Sequence, residues 1–208
     1  MREIYLDNAA TTKPCEAAVN AMVKTMQNNY ANPSALHLMG LNAEDSFLSA
    51  KSKIAKALGC KSNDLYFTSG GTESNNTLIL GAVKKLKRYG KHIITGAMEH
   101  PSVLEPIKEL EKEGFEITVL PASINGYNKE DIIKAIRKDT ILVSLMTVNN
   151  ETGVINDLSF VKKALKEKGS SALFQVVILL HYCLAAVNKR AFDRAQFLPS
   201  LFVALLRR

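Results

Sequence analysis

The stretch LYFTSGGTESNNTLIL, residues 65–80, decides the fold. Three strand-favouring residues (Leu65, Tyr66, Phe67) run past Thr68 and Ser69 into a glycine pair, and a helix-like run begins at Thr72. Strand, sharp turn and helix make one half of a βα unit. Gly70 and Gly71 let the backbone turn and approach a ligand with no Cβ in the way. The helix that follows offers unbonded N–H groups and the positive end of its dipole, and Thr72 adds a hydroxyl donor. A phosphate or carboxylate fits such a turn. An ordinary strand-to-helix turn fits the same residues, with Thr72 as N-cap and Ser74 and Asn75 in the first helical turn. The stretch is not a Walker loop, because no Gly-Lys-Ser/Thr follows, and it is not a dinucleotide GxGxxG turn.

Working outward, the same alternation continues. Residues 4–6 read as a short strand, 15–27 and 34–58 as helices (the second stopped at Gly59), and 72–88 as the helix after the glycines. A strand at 92–94 precedes a helix at 103–113, opened by Pro101 and Ser102. A strand at 115–120 precedes a helix capped by Asn128 and running to 137. Residues 140–146 are a β-branched, apolar run suited to a buried strand, and 158–168 form a further helix. Strands and helices alternating at this spacing imply an α/β fold, with a mostly parallel sheet covered by helices on both faces.

Composition narrows the function classes. The 208-residue chain is 47% hydrophobic and 23% charged, the balance of a folded globular protein. Its net charge of +7 is unevenly spread: residues 1–168 carry 22 basic and 19 acidic side chains with the signs interspersed. That is a solvated mixed surface, not a basic stripe, so nucleic acid is not an expected partner. Cys15, Cys60 and Cys183 share no metal-ligand spacing. Asp7 and Asn8 come before any apolar core that a signal peptide would need, so a reduced, cytoplasmic setting is expected, with no membrane attachment.

Three more polar clusters follow expected strands. His100, in AMEHPSV (97–103), sits after the strand at 92–94, where ligands bind in open α/β sheets. An imidazole there can stack on a flat ring or move protons, or it can be an ordinary structural histidine. Asn149, Asn150 and Glu151 follow the strand at 140–146; they either reach a polar ring substituent or form an Asx-type turn before Gly153. Asp7-Asn8 with Thr11-Thr12 is a site loop or a turn. Clusters converging on one sheet edge, with an anion turn at 70–72, have the geometry of a small-molecule site.

The stretches YLDNAATT (5–12), FTSGGTESNN (67–76), GKHIITGAMEHPSVLEP (90–106), LEKEGFEITVLP (110–121) and DTILVSLMTVNNETGVI (139–155) closely resemble cysteine desulfurases. These are pyridoxal-phosphate enzymes of the class V aminotransferase group, and the likeness runs in order from about residue 3 to 168. The resemblance implies the large domain of a fold-type I transferase, a homodimer, and conversion of L-cysteine to L-alanine. The sulfur passes as a persulfide to an acceptor or scaffold protein for iron–sulfur clusters or thio-cofactors. It places Gly71 and Thr72 at the cofactor phosphate, His100 stacked on the pyridine ring as a proton-transfer residue, and Asn150 on the ring's phenolic oxygen. A selenocysteine lyase or an aminotransferase of the same group is the neighbouring reading.

Past residue 168 the pattern departs from the family. Residues 169–208 hold four of the seven Arg but one of the twenty Lys, and a single acid, Asp193. The family expects an acid at the pyridine nitrogen in a motif like F-H-V-D-A-V-Q. Here LFQVVILLHYC (173–183) puts Val177 at the acid and Leu180 at the cofactor-contacting glutamine. The Schiff-base lysine belongs in a Ser-x-His-Lys motif, whereas the only lysine beyond 168 is Lys189, preceded by Asn188. Cys183 is not placed to be the sulfur-accepting cysteine. The domain expectation is therefore 1–168 as the amino-terminal part of the transferase domain, incomplete, and 169–208 as a divergent tail that leaves the family pattern near 176. The tail is either out-of-frame translation or the end of a shortened, non-catalytic paralogue that binds a partner or anion. On either reading this chain is expected to be inactive by itself, with its binding of pyridoxal 5'-phosphate weakened or lost.

Overall fold

A computed structural model describes residues 4–7, 12–57, 60–178 and 203–205. The sequence folds into helices α1 (Glu16–Asn28), α2 (Leu38–Ala57), α3 (Gly71–Leu86), α4 (Pro101–Lys112), α5 (Lys129–Ala135) and α6 (Val161–Glu167). The strands are β1 (Leu65–Phe67), β2 (His92–Gly96), β3 (Glu116–Leu120), β4 (Ala122–Ser123), β5 (Gly126–Tyr127), β6 (Thr140–Val148), β7 (Leu173–Ile178) and β8 (Val203–Leu205).

Strands β3, β2, β6 and β7 form one sheet in that order, with every pairing parallel. All five residues of β2 are buried, as are eight of the nine in β6, because helices cover both faces of these central strands. On one face Ile79 and Val83 of α3 and Val103, Ile107 and Leu110 of α4 pack on Ile93 and Leu142. On the other, Ile132 of α5 and Val161 and Leu165 of α6 pack on Ile94, Val143 and Leu145. Steps of three or four residues put each helical set on one stripe. The expected α/β architecture is the one observed.

Pro106 lies inside α4 and has no N–H for the carbonyl of Ser102. Asn76 of α3 supplies the donor instead, with its Nδ2 3.4 Å from that carbonyl oxygen. The same contact joins the start of α3 to the start of α4.

Three expectations are corrected. Residues 4–6 are exposed coil, not a strand; they have no ladder partner among the described residues. Strand β1 stands where expected, but it pairs antiparallel with β8 and does not join the main sheet. Helix α5 stops at Ala135 instead of 137, because Ile136 is extended and Arg137 turns to pair with Asp139. The hairpin β4–β5 was not anticipated, although its Asn125-Gly126 pair is a turn signal, with Gly126 at φ +88°.

Candidate functional site

Parallel strands in one sheet deliver their following loops to one edge. Residues 97–100 leave β2 there, and 149–153 leave the adjacent β6. The 68–72 turn reaches the same region through α3, whose first turns touch the start of α4.

Helix α3 begins at Gly71, with Gly70 as its N-cap. Thr72 is therefore the second helical residue and not the cap, which removes the structural duty that the alternative reading gave it. No side chain caps α3, whereas Asn128 caps α5 and His100 caps α4. Glu73 folds back so that Ser69 donates to its Oε2 from both backbone N and Oγ, each at 2.6 Å. These bonds hold the Glu73 carboxyl below its usual pKa. Thr72 is exposed, and a Cβ built on Gly70 would meet no atom within 4 Å. The backbone is therefore open beside Gly70, at the entry to a helix whose first amides have no partner within it.

His100 is half-buried at the head of α4. Its Nδ1 accepts from the backbone N of Ser102 at 3.1 Å and lies 2.8 Å from the Ser102 hydroxyl. A backbone N–H can only donate, so Nδ1 is the acceptor and the neutral ring carries its proton on Nε2. The Ser102 hydroxyl in turn accepts from Asn75 Nδ2 at 2.8 Å. A hydrogen-bonded chain, Asn75 to Ser102 to His100, thus links the anion turn's helix to the imidazole.

The Asn-Asn pair divides its work. Asn149 is buried, and its Oδ1 accepts from the amides of Glu151 and Thr152 and from the Thr152 hydroxyl, forming the Asx turn. Its Nδ2 donates to the Met98 carbonyl at 3.3 Å, tying the β6 exit to the β2 exit. Asn150, next in line, is half-buried and outside that turn network. Of the two alternatives, the Asx turn is the one formed, and Asn149 forms it.

Two contributors were not anticipated. Glu99 is 4% exposed, and its Oε1 accepts from Met146 N at 2.6 Å and from the Tyr127 hydroxyl at 2.9 Å. Burial raises its carboxyl to about 7, against the lowering pull of those two bonds. Asn156 accepts from Tyr127 N and donates to the Met146 carbonyl, docking the hairpin on β6. Asn156 and Tyr127, with Met98 and Asn149, line a space of about 10 Å³, room for a single water. Glu99 adjoins His100, so an acid beside a candidate histidine was the available signal. Asp7 is exposed, while Asn8 and Thr11 lie outside the described residues, as do Leu180, Cys183 and Lys189. Cys15 is exposed and Cys60 half-buried. Among the described residues no helix is long and apolar enough to cross a membrane.

With this geometry in place, residues 4–176 match the aminotransferase class-V family. The chain belongs to that family. It is 48% identical over 167 residues to the cysteine desulfurase IscS of Dictyoglomus turgidum, covering 80% of this chain and 42% of the relative. The IscS of Methanosarcina thermophila is 42% identical over 167 residues, covering 80% and 41%. A solved NifS-like protein superposes with a TM-score of 0.78 at 34% identity, covering 81% of this chain and 47% of that one. A structure described as SspA in complex with cysteine gives a TM-score of 0.75 at 33% identity, covering 83% and 49%. This class-V chain thus spans less than half the length of those relatives. Its homologues are cysteine desulfurases, and the chain corresponds to their amino-terminal part.

Proposed function

We propose that this chain is the cofactor-phosphate and ring-binding portion of a cysteine desulfurase, a cytoplasmic homodimer acting on L-cysteine with pyridoxal 5'-phosphate. Its sulfur would pass to an acceptor or scaffold protein. The observation that carries this reading is the convergence of an uncapped helix start, a tautomer-fixed histidine and a half-buried asparagine on one sheet edge. This convergence lies inside a segment 48% identical to a cysteine desulfurase.

The residues fit the phosphate and the ring face. Gly71 and Thr72 give two amides and a hydroxyl to an anion at the positive end of α3. Serine and asparagine orient the imidazole of His100 against the site, leaving Nε2 as the atom that carries or delivers a proton. Asn150 is the amide donor for a ring oxygen. When bound, the cofactor supplies the electron sink for bond cleavage at the amino acid's carbon. By the family motif the ring-nitrogen acid would fall at Val177 of β7, and valine has no hydrogen-bonding side-chain atom. The 208-residue chain should therefore hold the cofactor without turning over cysteine.

Fluorescence titration with pyridoxal phosphate tests this. Saturable binding should weaken about tenfold in Thr72→Ala, the loss of one hydrogen bond to a charged group, and borohydride should fix no adduct at a single lysine. Binding unchanged in Thr72→Ala would refute the phosphate assignment, and a specific lysine adduct would refute the inactivity.

A further inference from the structure

The strands that deliver His100 and Asn150 also meet at a buried carboxyl. Glu99 leaves β2 one residue before His100, and its Oε1 takes two donors from different elements. One is the backbone N of Met146 in β6, four residues before Asn150. The other is the hydroxyl of Tyr127 on β5. Tyr127 itself cannot drift: its N is held by Asn156 at 2.9 Å. Its ring also fills the space beside Gly96, where an added Cβ would fall 1.9 Å from the hydroxyl oxygen. A short side chain that engages two separately anchored donors fixes the relative height of the segments they belong to.

We propose that Glu99 is a positioning residue: by joining the β2 exit to Met146 and Tyr127 it sets the loop carrying His100 against the turn carrying Asn150. The inference rests on the reading of His100 and Asn150 as site residues, and it assigns Glu99 no contact with substrate or cofactor. Gln at this position keeps an acceptor oxygen for both donors, whereas Ala removes it.

The isotope-labelled 208-residue chain, with no ligand added, provides the test by NMR. In Glu99→Ala the His100 ring protons and the Asn150 side-chain amide should shift together by more than their line widths. In Glu99→Gln both should return to within a line width of the parent positions. Tyr127→Phe, which removes one donor and leaves Glu99 intact, should move the same resonances by a smaller amount; it decides the matter should Glu99→Ala fail to fold. Shifts confined to Met146 and Tyr127 would overturn the proposal, as would Glu99→Gln perturbing His100 as much as Glu99→Ala. Because no cofactor is added, this coupling can fail while phosphate binding at Thr72 holds, and the reverse.

Discussion

Two buried titratable side chains pull the stability of this chain in opposite directions with pH. His92 is fully buried between Thr140, 2.8 Å from Nδ1, and Thr118, 2.8 Å from Nε2. Burial, followed by the charge of Arg137, holds its pKa below the ordinary 6.5. The folded state therefore favours neutral His92, and the stability it contributes is present above pH 6.5 and lost as pH falls through the lowered folded value. Thermal melts should show a drop on acidification below pH 6.5 that His92→Gln flattens; an unchanged acid limb would contradict this. Glu99 has the opposite sign. Its folded pKa of about 7 exceeds the ordinary 4.5, so its contribution is full below 4.5 and lost as pH rises through about 7. The whole effect is on the order of 3 kcal/mol. Glu99→Gln should remove the decline between about pH 4.5 and 7, and melts that keep it would rule Glu99 out as the cause. Neither role was legible in the sequence. Buried polar groups look like surface ones until the sheet register is known, and His92 reads simply as the first residue of a strand.

At the scale of elements most of the fold could be read directly. The glycine turn at 70–71, the apolar run 140–146 and the Asn128 cap each carry a local physical signal, and each appears within a few residues of its expected place. What escaped was set by partners distant in sequence. The 4–6 segment has strand-forming residues but no ladder partner among those described. The β4–β5 hairpin is two residues a side and is held by Asn156, 29 positions from Tyr127. At the site, the split between Asn149 and Asn150 depends on the carbonyl of Met98. Two neighbouring asparagines give no hint of which one turns inward. The hairpin's docking yields a direct prediction. Gly96→Ala puts a methyl group where the Tyr127 hydroxyl sits, and overpacking of this kind costs about 1–3 kcal/mol. Urea denaturation should show that loss in the parent and much less of it in a Tyr127→Ala background; equal losses in both would mean that the glycine answers to another constraint.

Over the whole molecule the apolar surface is unevenly distributed. Helix α1 buries none of its residues, and Val19, Met22, Val23 and Met26 are all exposed. On α2, Leu41, Phe47 and Leu48 are exposed as well. Exposed apolar surface on this scale favours association, and the chain spans only 42% of the Dictyoglomus turgidum relative. Sedimentation velocity should show concentration-dependent self-association that Met22→Lys with Met26→Glu reduces; a monodisperse monomer in both would show that the apolar helices do not drive it. The cofactor-binding role rests on the sheet edge that this chain does contain. It is tested most directly by titrating the labelled chain with pyridoxal phosphate and mapping the amide and imidazole shifts. Saturable shifts are expected at Gly71, Thr72, His100 and Asn150 with a common dissociation constant, those at Gly71 and Thr72 being reversed by excess inorganic phosphate. Shifts scattered over surface lysines, with these four residues unmoved, would contradict it.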